Sequence, residues 1–480
     1  EKIADKRFDN LEFASAGEMY EELSRSKHAK IKYHVRAGES NLMIGDYRKA
    51  QVYYDKAYAS TGMSDKDLYN YYQVLKYNSN YTKANEVFSK INNNEYKLIR
   101  DNINAKKLNL EELKKDSSNY TLNRLDINSE ENDFSPFVLK NELYFISSRR
   151  NTSFSGRRYG WDNSYFLDVY KGFIEGNAVK NELGASDGMK TKYHEGPLCF
   201  SKDGNTQFIS RNNYTDKKLK KDKDNKVNIK IYSRKKEGEK WTDWAEFPFN
   251  SDDYSCEHPT LSSDGKTLYF SSDMPGTYGS LDIWETTLEN GNWTKPKNLG
   301  QTVNSEGREA FPMLFEDEIL FFASDGKIGL GGLDVYYTVT GSDDFFEAQN
   351  LGYPINSPYD DFGFFATTSS TGYFSTNRNK DTKDDIYGFV CKRPIISASI
   401  DLLVLDKESK EVLANANVAL IDETGKPAYQ GTTNEKGEIK FNVIPGKGYK
   451  IKSTKDGFKE NVGVLKEEDI ASMAGKKKEV

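Results

Sequence analysis

The sequence is poor in the residues that carry specialised chemistry. It has three cysteines and four histidines in 480 residues, and it contains no CxxC pair or Cys/His spacing typical of zinc sites. No run of about 18 apolar residues is present, so we predict no transmembrane helix. An excess of basic residues is also missing, since the formal net charge is -6. This balance argues against a dedicated nucleic-acid-binding protein.

The motifs of common enzymes are missing as well. No GxSxG, HExxH or Walker sequence occurs, and we predict that the chain is not an enzyme and uses no cofactor. The Gly-rich segment GKIGLGGLD (326–334) lacks the spacing of a dinucleotide site, which favours a loop. The three cysteines, Cys199, Cys256 and Cys391, leave two interpretations open: buried free thiols, or a single disulfide bridge.

Aromatic residues, in contrast, are abundant. They make up 13% of the chain, with 31 Tyr and 27 Phe, and this content excludes wholesale disorder. At about 100–200 residues per domain, the length predicts roughly three domains.

A pattern recurs every 34 positions in the first hundred residues. Three columns are in register: Phe13/Tyr47/Tyr81, Ala16/Ala50/Ala84 and Tyr20/Tyr54/Phe88. The period and the turn at Gly45 and Asp46 predict helix–turn–helix units. Residues 1–115 resemble tetratricopeptide repeats, which implies an all-α solenoid with a concave surface for peptides or partner proteins.

From about residue 119, short strands alternate with Gly, Asp and Asn turns. A connector precedes each of five strand–turn–strand units, and a third strand follows each unit. The connectors are NSEENDFSP (128–136), SDGMKTKYHEGP (186–197), NSDDYSCEHP (250–259), NSEGREAFP (304–312) and NSPYDDFGF (356–364). Five copies predict a five-bladed β-propeller over 119–394, closed by a strand at 120–127 that pairs with the last blade. The copy SSDGKTLYFSS (262–272) resembles the PD40 repeats of TolB-like propellers.

The last part of the chain has strands with alternating faces and hairpin turns. Residues 395–465 predict an all-β sandwich and resemble the carboxypeptidase regulatory-like or transthyretin-like domain, an adhesive or spacer module. Residues 466–480 are predicted to be a linker to a further domain. The charged segment at Glu1 shows no signal peptide, which leaves a peptide already removed before Glu1 as an open alternative.

The order of these modules resembles a family of Bacteroidetes envelope proteins, the PorE-like proteins of the type IX secretion and gliding machinery. The resemblance implies a non-catalytic periplasmic scaffold associated with the outer membrane. Its implied partners are outer-membrane and secretion or gliding proteins, such as PorP/SprF-type barrels. It also implies peptidoglycan binding through an OmpA-like domain outside this chain. The alternative is an accessory propeller and repeat module of a peptidase or glycan-processing enzyme.

One candidate site is a ring of acids. Asp133, Glu195, Glu257, Glu309 and Asp361 each precede the innermost strand of a blade, at similar intervals. Clustered carboxylates repel one another unless a cation joins them, so these five acids are candidates for a metal site. In the alternative interpretation, each acid accepts backbone N–H bonds at a tight bend.

The other candidate is the first-blade insertion RRNTSFSGRRYGWDNSYF (149–166). Arg, Tyr and Trp dominate the energetics of protein interfaces, so this segment is a candidate partner-binding loop, unless its aromatic residues fold back onto the propeller. Its candidate contacts are Arg149, Arg150, Arg157, Arg158, Tyr159, Trp161, Tyr165 and Phe166. The Lys-rich second-blade insertion (212–226) predicts either a solvated hairpin or a patch for an acidic partner.

Overall fold

The computed structural model describes most of the chain. The described residues are 1–105, 110–115, 117–149, 158–176, 178–184, 188–215, 218–340, 345, 347–379, 383–392, 398–422, 425, 427–443, 448–466 and 477–479. Arg150 and Arg157 lie outside these residues.

Helices form the beginning of the chain, and among the first six each helix packs against the next one in sequence. Their bounds are α1 (Lys2–Asp9), α2 (Phe13–Ser24), α3 (Ile31–Met43), α4 (Tyr47–Tyr58), α5 (Asp65–Tyr77), α6 (Tyr81–Phe88), α7 (Lys97–Ala105) and α8 (Leu110–Lys114). Asp46 and Asn80 cap α4 and α6, because their side chains accept the N–H of Lys49 and Lys83. None of the described helices combines the length and the apolar character that a transmembrane span requires.

The small and aromatic columns of the 34-residue pattern form the helical core. Ala16, Ala50 and Ala84 are almost fully buried, as are Tyr20 and Tyr54. Small residues let neighbouring helices approach closely: a Cβ on Gly38 would lie 2.8 Å from the ring of Tyr54. The repeat therefore specifies the spacing of the helices as well as their positions.

Five sheets follow the helices, and most strands pair with the next strand in the chain. A strand β1 (Tyr120–Arg124) comes first. Sheet I contains β2 (Asp133–Leu139), β3 (Glu142–Ser147), β4 (Asp168–Glu175) and β5 (Ala178–Gly184). Sheet II contains β6 (Glu195–Phe200), β7 (Thr206–Asn212), β10 (Ile229–Glu237), β11 (Lys240–Trp241) and β12 (Ala245–Glu246), and the short hairpin β8 (Tyr214–Thr215) and β9 (Lys218–Leu219) interrupts it.

Sheets III to V repeat the arrangement. Sheet III contains β13 (Cys256–Leu261), β14 (Thr267–Ser272), β15 (Asp282–Glu289), β16 (Asn292–Trp293) and β17 (Lys297–Asn298). Sheet IV contains β18 (Glu309–Phe315), β19 (Ile319–Ser324), β20 (Asp334–Val339) and β21 (Gln349–Asn350). Sheet V contains β22 (Asp361–Thr368), β23 (Thr371–Thr376) and β24 (Asp385–Cys391), and its fourth strand is β1, which pairs with β24.

The first strands of the five sheets contact one another in a closed ring, in the order β2, β6, β13, β18, β22 and back to β2. Each first strand has a bulge, and a residue in each bulge has positive φ: Ser135, Gly196, His258, Phe311 and Gly363. In four strands the next residue is proline, which has no N–H to leave unpaired at this inner edge. A cavity of about 40 Å³ lies here, with room for a few water molecules.

Two further sheets end the chain. One contains β25 (Ala398–Leu403), β28 (Glu438–Val443) and β31 (Lys477–Glu479), and the other contains β26 (Asn417–Ile421), β27 (Pro427–Thr432), β29 (Tyr449–Thr454) and β30 (Asn461–Leu465). One apolar cluster continues from sheets IV and V into this part. Within the predicted linker, Lys477–Glu479 instead pairs in parallel with β25. All three cysteines are free and buried, which confirms the first interpretation of them.

Candidate functional site

Four of the five connectors begin with an asparagine whose side chain forms hydrogen bonds with the backbone of the preceding sheet. The Oδ1 atom of Asn304 accepts the N–H of Ile283 at 2.8 Å, and its Nδ2 atom donates to the Ile283 carbonyl at 3.0 Å. The Asn304 amide therefore bonds to both backbone groups of Ile283, as a neighbouring strand would, and attaches the connector to the third strand of sheet III. The same bonds join Asn128 to Ile386, Asn250 to Ile231 and Asn356 to Val335.

Four acids of the predicted ring accept a backbone N–H from the residue four positions earlier. Glu309, for example, accepts the N–H of Ser305 at 2.7 Å and its hydroxyl at 2.6 Å. The equivalent pairs are Asp133 with Ser129, Glu195 with Thr191 and Asp361 with Ser357. This is the geometry of the second interpretation, in which the acids fix a tight bend.

The strand registers also correct the predicted ring. Asp133, Glu309 and Asp361 lie opposite Ser147, Ser324 and Thr376, whereas in sheet III it is Cys256 that lies opposite the corresponding Ser272. Glu195 and Glu257 lie one residue later in the register, because each directly precedes the positive-φ residue of its bulge. The other three acids lie two residues before that residue. Among the described residues, no three or more His, Cys, Asp or Glu side chains lie together as metal ligands.

The protonation of Glu309 gives a test of its role. Burial raises the pKa of this carboxyl to about 7 from an ordinary value of 4.5. A raised pKa means that the folded state holds the proton more tightly, so the contribution of Glu309 to stability is greatest below pH 4.5 and falls as the pH rises through 7. Glu309→Gln cannot ionise. We expect the difference in unfolding free energy between wild type and variant to fall by about 3 kcal/mol between pH 4.5 and 8.

This difference can be measured by urea unfolding across that pH range. The matched control is Glu289→Gln, because Glu289 is exposed at the end of β15. A pH-independent difference for Glu309→Gln, equal to that of the control, would contradict the buried-acceptor role.

Arg149 forms structural contacts within its own sheet. Its guanidinium pairs with the buried Asp133 and donates to the carbonyl of Ile127 at 2.9 Å, and its side chain is 12% exposed. Arg378 forms the matching pair with Asp361 in sheet V. A buried carboxylate of its own sheet therefore already occupies the Arg149 guanidinium, which gives this residue a role in the fold of sheet I.

Trp161 is also used within the chain. Its ring packs edge-to-face against Phe13 at 4.7 Å between centroids, and its Nε1–H donates to the carbonyl of Met43 at 2.8 Å. The backbone N–H of Ala14 donates in turn to the carbonyl of Trp161. This part of the insertion therefore holds the helices against sheet I, and Trp161 is not retained as a partner contact.

Asp360 joins the helices to sheet V. Its two carboxylate oxygens accept the hydroxyl groups of Tyr47 and Tyr77 at 2.7 and 2.6 Å, and one of them also accepts the N–H of Leu333 at 2.8 Å. The two tyrosine rings are stacked, with centroids 3.6 Å apart. Burial first, and then the Asp360 charge, raise the pKa of both tyrosines well above the ordinary value, so both remain proton donors.

The first column of the 34-residue pattern is the docking column. Phe13 packs on Trp161 of sheet I, Tyr47 bonds to Asp360 before sheet V, and Tyr81 donates to the carbonyl of Leu330 in sheet IV at 2.8 Å. The helix–helix turns thus lie along one edge of the helical array, and this edge sits over the ring of sheets.

The Gly-rich segment 326–334 is part of the same contact. A Cβ on Gly332 would lie 1.9 Å from the hydroxyl of Tyr77, and a Cβ on Gly331 would lie 2.2 Å from the carbonyl of Tyr359. Glycine is required at 332 because the helical region approaches the loop, and at 331 because the connector before sheet V does. The glycines of this segment therefore allow a close approach of neighbouring chain segments to the loop.

The other described residues of the first insertion, within 158–166, lie between the second and third strands of sheet I, and we call this part of the molecule the rim. Arg158 is exposed, and its guanidinium lies over the ring of Tyr165, with Cζ 4.1 Å from the centroid. Tyr159 and Phe166 contact His194, with centroids 4.4 and 4.8 Å apart. Of the predicted interface residues that the structure describes in this segment, Arg158 is exposed, and Tyr159, Tyr165 and Phe166 are half-buried.

Comparisons with known proteins return only distant structural similarity. No protein-family model and no curated protein matches the sequence. Similar solved structures include a putative TolB from Agrobacterium tumefaciens, with 13% identity and a TM-score of 0.33 over 68% of this chain and 97% of that chain. A Mycobacterium tuberculosis puromycin-hydrolysing peptidase has 13% identity and a TM-score of 0.31, over 63% of this chain and 42% of that chain. A prolyl endopeptidase has 9% identity and a TM-score of 0.30, over 82% of this chain and 52% of that chain. The chain spans about half or less of the length of these two peptidases.

The sheets themselves define the class of protein. A region of helices comes first, a closed ring of five sheets follows, and two smaller sheets end the chain. This is a multidomain protein with N-terminal helices and a propeller-like β region.

Proposed function

We propose that this protein is a non-catalytic scaffold of the periplasm that binds an outer-membrane partner, namely a PorP/SprF-type barrel of the type IX secretion and gliding machinery. In this proposal, 1–115 is a tetratricopeptide solenoid, 119–394 is a five-bladed PD40 propeller and 395–465 is a carboxypeptidase regulatory-like sandwich. An OmpA-like domain outside this chain would link the complex to peptidoglycan.

The observation that carries the proposal is the docking of the helices on the ring. Tyr47, Tyr77 and Tyr81 bond to two different sheets, and Trp161 bonds back to the helices. A fixed arrangement of two interaction modules presents one large surface without having to order it on binding, which lowers the entropic cost of association. Such a pre-organised surface suits a scaffold.

The test is affinity capture from detergent-solubilised outer membranes of a Bacteroidetes cell, with the tagged full chain as bait. We expect a β-barrel protein of the PorP/SprF type to be recovered in stoichiometric amounts with the wild-type chain and not with empty resin. Failure to recover a barrel would contradict the proposal. Hydrolysis of a peptide or glycan by the purified chain, abolished by a point substitution, would replace it with the enzyme-accessory alternative.

A further inference from the structure

The insertions of sheets I and II meet at one place on the rim. Four ring contacts connect them, because Tyr159 and Phe166 from the first insertion contact His194, Phe166 also contacts Tyr193, and Tyr193 contacts Tyr214 at the base of the second. The centroids of successive rings lie 4.4 to 5.6 Å apart. We call these five side chains the aromatic row.

The aromatic row and the bonds around it fix the position of the second insertion. The amide of Asn213 donates to Asp252 at 2.7 Å, and the amide of Asn228 donates to the Asp252 carbonyl at 2.8 Å. Across the hairpin, the N–H of Lys220 bonds to the carbonyl of Asn213. The hairpin is therefore attached on both sides of its base.

Basic side chains cover this part of the rim. The segments 158–166, 188–194 and 218–226 contain eight basic and three acidic residues, in a chain whose net charge is -6. Two of the three acids, Asp162 and Asp222, accept hydrogen bonds within their own loops and shape the turns. Within these three segments basic residues therefore outnumber acidic ones, whereas acids predominate in the chain as a whole. Asp168 and Asp273 outside the segments pair with Lys190 and Lys226.

Several of these cations are available to a partner. Lys226 pairs with Asp273 at 3.5 Å. No ion pair with a described residue involves Lys218, Lys220 or Lys223, and all three are exposed. We call these three residues the rim lysines.

Arg158 adds an oriented guanidinium to the same rim. Its Nη1 atom donates to the carbonyl of Asn163 at 2.9 Å, and its Nη2 atom donates to the hydroxyl of Tyr165 at 3.2 Å. A guanidinium held flat over an aromatic ring loses little side-chain entropy when it meets a carboxylate.

We propose that the rim lysines, Arg158 and Tyr165 form a binding surface for an acidic segment of a protein partner. This proposal rests on the proposed function, because it names the surface at which the scaffold holds its partner. Cations beside half-buried tyrosines match an acidic polypeptide: lysines attract and orient the carboxylates, while Arg and Tyr supply the contact area of an interface hot spot. The net negative charge of the rest of the chain disfavours long polyanions that extend beyond the rim.

The first experiment measures binding of a fluorescein-labelled twelve-residue Asp/Glu-rich peptide to the full chain by fluorescence anisotropy. The test variant is the triple substitution Lys218→Glu, Lys220→Glu, Lys223→Glu. The matched control is Lys140→Glu, Lys202→Glu, Lys266→Glu, which changes three exposed lysines at turns on the opposite ends of the first strands. Circular dichroism and thermal melting verify that both variants fold.

We expect the rim triple variant to raise the Kd of the acidic peptide at least tenfold, and the control triple to change it less than twofold. The affinity of the wild-type chain should fall as salt rises from 20 to 300 mM, because exposed charges are screened. A Gln/Asn version of the peptide should not bind. The proposal is overturned if both triples weaken binding equally. It is also overturned if the rim triple removes binding to vesicles containing anionic lipid, or to a sulfated polysaccharide, but not to the peptide.

The second experiment separates this proposal from the proposed function. Capture of the outer-membrane barrel is repeated with the rim triple variant as bait. Barrel recovery by the wild-type chain but not by the variant supports the proposal. Equal recovery overturns the rim as the partner surface and leaves the scaffold role intact. If the wild-type chain recovers no barrel, the scaffold proposal fails, and the anisotropy measurement alone decides whether the rim binds acidic peptide.

Discussion

Replacing Asp360 with alanine should release the helical region from the ring of sheets. The substitution leaves the hydroxyls of Tyr47 and Tyr77 and the N–H of Leu333 without their shared acceptor. Each hydrogen bond to a charged group contributes about 1.5–3 kcal/mol, so we expect a loss of about 3–5 kcal/mol of docking free energy. Calorimetry should then show the helices unfolding about 10 °C or more below the wild-type transition.

Hydrogen exchange gives the local measurement for the same variant. We expect faster exchange in α4, α5 and α6 and unchanged exchange in β13 to β16. Asp253→Ala is the matched control, because Asp253 is exposed and outside this contact. If Asp360→Ala melts in one transition within about 1 °C of wild type, the docking account is wrong.

Replacing Asn304 with aspartate should strongly destabilise the ring itself. Asn304 is 1% exposed, and its Nδ2 atom donates to the Ile283 carbonyl and to Oδ1 of Asn298 at 3.0 and 2.9 Å. Aspartate keeps the shape but removes both donated bonds and places a buried negative charge against two acceptor oxygens. A buried charge without a partner costs about 3–5 kcal/mol, and urea unfolding of the full chain should report a loss of this size.

The control for Asn304 makes the same chemical change at the surface. Asn290→Asp lies in the exposed turn between β15 and β16, and we expect its unfolding free energy to stay within about 0.5 kcal/mol of wild type. Equal stability of Asn304→Asp and Asn290→Asp would show that the connector asparagines do not tie neighbouring sheets together.

Periodicity in the sequence predicts much of the local architecture, because the same packing problem is solved in every repeat. Ala50 and Tyr54 are buried where the 34-residue pattern places them, and short strands follow each connector. The strand at 120–124 pairs with the last strand of sheet V, at Cys391 and the residues before it. These features depend on residues close together in sequence or repeated at a fixed spacing.

Contacts between modules could not be predicted in the same way. Asp360 and Tyr47 are 313 positions apart, and the repeat singles out Asp361, not Asp360, so it gives no sign of this contact. The column of Phe13, Tyr47 and Tyr81 could have indicated the docking edge of the helices. A repeated aromatic residue at the start of a helix can contact a neighbouring domain as well as the helical core. Trp161 looked like an interface residue, and it is one, but its interface lies within the chain.

The acid ring shows why equal spacing is not equal register. Glu195 and Glu257 recur along the chain as regularly as the other acids, yet each directly precedes the positive-φ residue of its bulge. Asp133 and Glu309 instead lie two residues before that residue. Successive side chains of a strand point to opposite faces, so a shift of one residue changes the environment completely. The register of the acids depends on how the strands pair, and their spacing along the chain does not predict it.

The central proposal is that the rim beside the aromatic row binds an outer-membrane partner. The most direct measurement replaces Tyr165 with p-benzoyl-phenylalanine in the full chain and irradiates it with solubilised outer membranes. The matched position is Tyr278, an exposed tyrosine next to sheet III. We predict a covalent cross-link to a β-barrel protein from the probe at Tyr165 and none from the probe at Tyr278. No cross-link from Tyr165, or equal cross-links from both positions, would contradict the account.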